Sequence, residues 1–341
     1  MFYTYIFKMK LFDKFLNKHF LDNYCKLDRS LFYGKAGLAI YYSVKSKDGL
    51  QSKNCYSKVI DDLLTNTPKS LPMSIQKGKL GLYLAIDYIT THIEKKNSDI
   101  VLEYEDVYLY QNISSNFNMQ DKKEILNLSV ETLFYISIRL KNSLRNKTKR
   151  LIFINKSIEL VERVYSEADS LFYMEQVPYS IINHKILYLD ALVRLYSLGI
   201  YRDRISHLLY EISYRLRIPT LHSNKLLLLY ETIKVNRVVD SVPIVWKDFQ
   251  EVLYKSISMN RIYHVEMREM HISFINGISG IFLLQLLCNK ENGERLFELD
   301  KEFYYNRISR SLNSIDIKRE APFSLMGLNG FWGMNLLYEQ I

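Results

Sequence analysis

Apolar residues in this chain fall into runs with helical spacing, and two kinds of run alternate. The first kind is amphipathic. Leu11, Phe12, Phe15, Phe20 and Leu21 mark one face of a helix over Leu11 to Tyr24, and charged runs with one wet face follow at Lys156–Ser166, Tyr201–Arg215, Trp246–Ser256 and Lys301–Leu312. The second kind is apolar nearly all round and is introduced by a pair of glycines three residues apart. FINGISGIFLLQLL, Phe274 to Leu287, is the clearest copy, with Gly277 and Gly280 ahead of the apolar run. The same grammar recurs at Gly34 and Gly37, at Gly78 and Gly81, and at Gly327 and Gly330. A glycine pair at a helix start lets the backbone turn sharply and lets a neighbour come close, while the first-turn N–H groups stay unpaired.

Eight of the twelve glycines belong to these four pairs, so the pairs mark a repeat. Sliding the pattern along the chain finds three weaker copies, with Ser129 and Thr132, Asn183 and Ile186, and Ser223 and Leu226 in place of the glycines. First positions then fall at 34, 78, 129, 183, 223, 277 and 327. Pro72, Pro178, Pro219 and Pro322 each precede a copy by four to six residues, where a loop should lead into a helix. Within the first unit, Leu38–Val44 and about Tyr56–Leu64 form a helix pair around the turn-rich SKDGLQSKN. Seven inner and seven outer helices follow from this reading. The expected fold is all-α, a double-ring α/α toroid in one domain spanning 1–341, since closure removes the uncapped ends of a helical solenoid.

Composition changes this picture little. The 341 residues are 48% hydrophobic and 24% charged, with no Gly/Ser-rich, Pro-rich or low-complexity linker, as one large core requires. The densest basic run, Arg139 to Arg150, carries six basic residues and no acid, and reads as a solvated connection between helices. The 27 tyrosines are scattered through helical runs instead of pairing with basic residues as stacking platforms, so no nucleic acid partner is expected. Cys25, Cys55 and Cys288 show neither a disulfide framework nor a CxxC spacing, which fits a reducing cytoplasm. MFYTYIFKMKLF mixes lysine into its apolar residues and does not read as a secretory signal, and no apolar run is long enough for a membrane span.

The motif set is strongest at Ser30–Tyr42, Lys77–Ile89, Ile272–Leu287 and the C-terminal SLMGLNGFWGMNLL, and there it resembles the lanthionine synthetase C-like proteins. The resemblance covers essentially the whole chain and implies the double ring of helices. It also implies a chemistry, because the family's cyclases add a peptide cysteine thiol to a dehydrated serine or threonine. A thiol with a pKa of about 8.5 needs a metal to become thiolate at neutral pH, and the family uses zinc. The zinc is held by a cysteine before the fifth motif and an adjacent Cys-His pair before the sixth. Here those positions fall at about Leu221 and at Ile275 and Asn276, none of them a zinc ligand. No cofactor is therefore expected; zinc would be expected only with the family site intact.

Histidines could rebuild a site, with His222 beside the fifth motif and His264 and His271 before the sixth, near Glu266 and Glu269. Their spacing is not that of a helical zinc motif. The family's fourth-motif histidine, assigned to proton transfer, falls at or within two residues of His184, the one catalytic candidate. In the toroid, Lys35, Lys79, Glu131, His184, Lys185, Asn224, Lys225, Asn276 and Asn329 would face one cavity mouth with the free N–H groups of the helix starts. The expectation is a zinc-free, non-catalytic relative that binds a precursor or leader peptide and partner modification enzymes. The alternative is an active cyclase with a rearranged metal site. Glycosidase or terpene cyclase chemistry would need cavity carboxylates, yet Glu131 is the only acid at a motif position, and Asp87 and Asp190 lie farther down their helices.

Overall fold

The computed structural model describes residues 27–46, 50–65, 71–112, 121–142, 146–169, 172–173, 177–240, 244–268, 272–314, 328–329, 333 and 337. The helix expected over Leu11–Tyr24, together with Cys25, Pro68, Glu269, His271, Pro322, Gly327 and Gly330, lies outside them. About 75% of the described part is helical, and it contains no strand. The chain divides into two compact units, residues 1–85 with 300–341, and residues 86–299.

In the first unit, α1 (Lys35–Lys45) packs against α2 (Leu50–Thr65). The helix α3 (Lys79–Tyr88) contains the division between the units and runs on into a π turn over Ile89–Ile93. The second unit continues with α4 (Ser98–Val101), α5 (Glu103–Asn112), α6 (Lys122–Asn142), α7 (Lys147–Glu167), α8 (His184–Ser197) and α9 (Arg202–Arg215). It ends with α10 (His222–Val238), α11 (Ile244–Ser256), α12 (Met259–Arg261) with a π turn over Ile262–Glu266, and α13 (Ile278–Asn292). The last described helix, α14 (Lys301–Ser314), belongs to the first unit.

Chain order and packing order agree within the second unit. The motif helices α6, α8, α10 and α13 lie side by side in that sequence, and α7, α9 and α11 each pack on the motif helix that precedes them. Burial follows the two hydrophobic patterns. In α8 every residue from Ile186 to Val193 is buried, whereas α9 buries only Ile205, Leu208, Leu209, Ile212 and Ser213, one stripe at helical spacing. Trp246 of α11 is fully buried and donates its indole N–H to the Leu209 carbonyl at 3.0 Å, which ties one outer helix to the next.

The glycine pairs share one turn. Gly34 and Gly277 are helix N-caps with nearly the same extended backbone, φ −128° and ψ −160° against φ −129° and ψ −168°. Four residues before Gly34, Gly78 and Gly277 stands a serine, and its Oγ accepts the N–H three residues on. Ser30 takes Tyr33 at 3.3 Å, Ser74 takes Lys77 at 3.2 Å, and Ser273 takes Asn276 at 3.4 Å. A Cβ on Gly37, Gly81 or Gly280 would overlap the carbonyl oxygen six residues earlier, that of Leu31, Ile75 or Phe274. Glycine is required there for close approach, since neither dihedral range is closed to other residues.

The third copy departs from this scheme. Ser129 lies inside α6, seven residues past its start at Lys122, so Glu131 is not at a helix beginning. The physical reason is that Asp121 already accepts the Lys123 N–H at 2.8 Å and starts the helix there, while the Ser129 hydroxyl bonds back to Ile125.

The basic run 139–150 also departs from a solvated connection. Arg139 is fully buried and donates to Asp87, to Asp106 at 2.8 Å, to Asp99 at 3.3 Å and to the Ser98 hydroxyl at 2.6 Å. Tyr135 donates to Asp106 at 2.8 Å and Lys149 reaches the same carboxylate at 2.8 Å. Arg150 donates to the Leu140 carbonyl at 3.0 Å. One guanidinium thus gathers carboxylates from α3, α4 and α5 onto α6.

Gly280→Ala should destabilise the fold by about 1–3 kcal/mol, because the added methyl meets backbone and the buried Tyr179 instead of a flexible side-chain tip. Urea denaturation of the variant checks this, and an unchanged midpoint would refute the close-approach argument. Arg139→Met should cost more, about 3–5 kcal/mol, since it leaves Asp87, Asp99 and Asp106 buried without their shared cation. The same denaturation series measures it.

Candidate functional site

The starts of α8, α10 and α13 are held together by their loops. In the segment ahead of α8, the Ile181 N–H donates to the Ile275 carbonyl at 2.7 Å, and the Val177 carbonyl accepts from the Asn224 side chain at 2.7 Å. Tyr179, between them, is buried against Gly280. Asn183 caps α8, its side chain accepting the Lys185 N–H at 3.1 Å. On the third-motif helix, Glu131 lies 3.0 Å from Nε2 of His184.

A groove of about 630 Å³ opens beside this cluster. The first turns of α6 form one wall through Lys122, Lys123 and Leu126; Pro178, Ser180 and Ile182 form another, followed by His184 and Lys185 at the start of α8. Glu167, Asp169 and Phe172 complete it. Its charges are balanced, three lysines against Asp121, Glu167 and Asp169, over apolar contacts from Leu126, Phe172 and Ile182. Such a lining suits a ligand with both polar backbone and apolar side chains.

The expected mouth residues have separate fates. His184 and Lys185 line the groove, with Glu131 against the His184 ring, and Asn224 and Lys185 both line a smaller void of about 20 Å³. Lys225 turns back to the Ser256 carbonyl at 3.4 Å, and Asn276 is exposed, its side-chain oxygen held by the Ser273 hydroxyl at 2.5 Å. Lys35, Lys79 and Asn329 belong to the first unit. There Lys35 is buried in an ion pair with Asp62 at 2.6 Å, the Lys79 N–H is bonded to the Pro72 carbonyl at 2.9 Å, and the Asn329 N–H donates to the Phe32 carbonyl at 2.9 Å.

The positions that would hold zinc do not suit it. Leu221 is the N-cap of α10, Ile275 is buried with its carbonyl taken by Ile181, and Asn276 offers only an amide. His222 spends its ring on the chain ahead of α12: Nδ1 accepts the Ser258 N–H at 3.0 Å, and Ser256 supplies a further backbone hydrogen bond. Burial, with the Lys225 charge, holds His222 below its ordinary pKa, as a neutral hydrogen-bonded imidazole requires. Glu266 caps the same helix, its two oxygens accepting the His222 and Ser223 N–H groups at 2.6 and 2.9 Å. Among the described residues no three His, Cys, Asp or Glu side chains are grouped to hold a metal. Cys55 and Cys288 are free and buried, and burial pushes both thiols up.

Sequence reading missed a carboxylate pair deeper in the unit. Asp190 of α8 and Glu231 of α10 are bridged by Lys234, which contacts Asp190 directly and Glu231 at 3.0 Å; Arg194 holds the other Asp190 oxygen at 2.8 Å. Asp190 at the second turn of one helix and Glu231 at the third turn of another carry no shared local signal. Burial pushes the Glu231 carboxyl up to about 8, with the Glu291 charge adding to it and Arg194 opposing. Burial likewise pushes Lys234 down to about 7, with the Glu291 charge opposing and Lys141 and Arg237 adding.

Because Glu231 binds its proton more tightly in the folded chain than its ordinary 4.5, its stabilising contribution is complete below pH 4.5 and is lost as pH rises through about 8. Glu231→Gln should therefore flatten this falling limb of the stability profile between those two values. Urea midpoints of the two proteins across that range give the measurement; parallel profiles would show that the carboxyl stays ionised in the fold.

No helix among the described residues is long and apolar enough to cross a membrane. No family model, no curated protein and no solved structure matches the chain.

Proposed function

We propose that the chain is a lanthionine synthetase C-like protein whose seven motif helices close into an α/α toroid. It serves in the cytoplasm as a zinc-free, non-catalytic binding partner for a precursor peptide of a ribosomally produced, modified peptide. The observation that carries this reading is the packing order. In the second unit α6, α8, α10 and α13 are neighbours in chain order, each meeting the next, as consecutive inner helices of a ring must be. Within the first unit the Asn329 N–H of the seventh motif is bonded to Phe32, just ahead of the first motif, and the Gln76 side chain ahead of the second motif reaches the Tyr33 hydroxyl at 3.1 Å. Last-to-first adjacency is what a closed ring needs and an open solenoid lacks.

Support for the binding role comes from the groove at the third and fourth motifs. Its volume of about 630 Å³ and its mix of balanced charges and apolar side chains suit several residues of peptide. Against cyclase chemistry stand the side chains themselves, since leucine, isoleucine and asparagine supply neither thiolate nor imidazole at the fifth and sixth motifs.

The test is fluorescence anisotropy with a labelled linear precursor peptide that carries dehydrated serine and threonine and a free cysteine, paired with a thiol assay and elemental analysis. Binding with a Kd on the order of 1 μM, no loss of free thiol and no stoichiometric zinc is the expected result. Failure to bind would overturn the proposal. Ring closure with one zinc per chain would replace it with an active cyclase whose metal site has moved.

A further inference from the structure

We propose that the groove takes its peptide as an added β-strand, paired along the backbone edge of Pro178–Ser180. This rests on the peptide-binding reading and specifies its mode. The segment Val177–Ser180 contains neither helix, turn nor bend; the chain then bends at Ile181 and reaches Asn183 with extended backbone, φ −109° and ψ 121°. One side of it is fixed. The Ile181 N–H is bonded to Ile275, the Val177 carbonyl to Asn224, and the Tyr179 ring is buried against Gly280.

The alternate residues Pro178, Ser180 and Ile182 line the groove. Among the described residues neither the N–H nor the carbonyl of Ser180 has a hydrogen-bond partner, nor do the carbonyls of Pro178 and Ile182; the Ile182 N–H takes the Ser180 hydroxyl at 3.2 Å. Backbone polar groups of this kind are obligatory hydrogen-bond formers. In an extended segment, residues two apart direct their N–H and carbonyl groups to the same edge. An incoming peptide can therefore bond to Ser180 on both groups and to Pro178 through its carbonyl. Because the strap is already anchored at Val177, Tyr179 and Ile181, little ordering cost falls on the protein.

The three-residue edge is roughly 10 Å long. The occupant's side chains follow from what faces them. An apolar residue meets Leu126, Phe172 and Ile182, and a carboxylate on one flank meets Lys122, which has no ion-pair partner among the described residues. A basic residue on the other flank meets Glu167, likewise unpaired among them. The fitting ligand is an extended peptide of mixed charge, and not a helix, which would keep its own backbone bonds.

The decisive measurement uses the full chain and the labelled precursor peptide described above, in versions N-methylated at one residue at a time. Strand addition predicts about tenfold weaker binding at every second position within the bound stretch and near-unchanged binding between them. Ser180→Pro, which deletes the central N–H together with the hydroxyl that holds the Ile182 N–H, should weaken binding about tenfold, whereas Ser180→Ala, which removes the hydroxyl alone, should bind as the unaltered chain does. If that variant loses its fold, the methylation series on the unaltered chain still decides. Tight binding that ignores methylation at all positions would overturn strand addition and leave peptide binding standing. If the unmethylated peptide does not bind at all, both proposals fall.

Discussion

The approach of a backbone carbonyl to a helix at the second glycine of each described pair governs this structure. At Gly37, Gly81 and Gly280 the space a Cβ would fill belongs to an oxygen from six residues upstream. That contact folds the preceding loop down onto the first turn, with a serine Oγ bracing it from inside. Once the loop is pinned, its outer side is presented to the neighbouring motif. Ile275 can then receive Ile181, and Phe32 can receive Asn329. A methyl in that space would cost about 1–3 kcal/mol locally, a large share of the 5–15 kcal/mol that typically holds a domain together.

Apolar inner helices carry a second constraint, because charge buried among them must be matched. Arg139 collects three aspartates from three elements, and Lys234 bridges Asp190 and Glu231 between two motif helices. Buried pairs of this kind add little net stability over apolar replacements, yet a single broken partner is costly. Their effect is on arrangement, since a slipped helix would strand a carboxylate. The net charge of +9 is consequently a poor guide to partners here. Basic residues in the densest run are already spent on Asp106, Asp87 and the Leu140 carbonyl.

The same accounting shapes the site. Around the fifth and sixth motifs the polar groups serve local structure: Glu266 caps α10, His222 binds the backbone at Ser256 and Ser258, and Asn224 holds Val177. What stays open lies one motif away, where the start of α6 and the Val177–Asn183 segment leave a groove between them. Binding chemistry has room there, beside the His184–Glu131 contact.

Helix type and position were legible in the chain because periodicity is a local property. The glycine pairs mark the starts of α1, α3 and α13 to the residue, and the four charged runs lie within α7, α9, α11 and α14. The serine four residues before the glycine was equally visible in Ser30, Ser74 and Ser273, and went unread because its meaning lies in a hydrogen bond. Ser129 misled because a single cap at Asp121 outweighs a weak pattern. Tertiary structure alone decided that Arg139 is buried, that Lys234 bridges Glu231 and Asp190, and that the Pro178 and Ser180 backbone groups find no partner among the described residues. Each of these depends on which distant segments pack together. Partners 44 and 52 residues away leave no mark on a local pattern, since a charged residue bound for a buried cluster has the same periodicity as one bound for water.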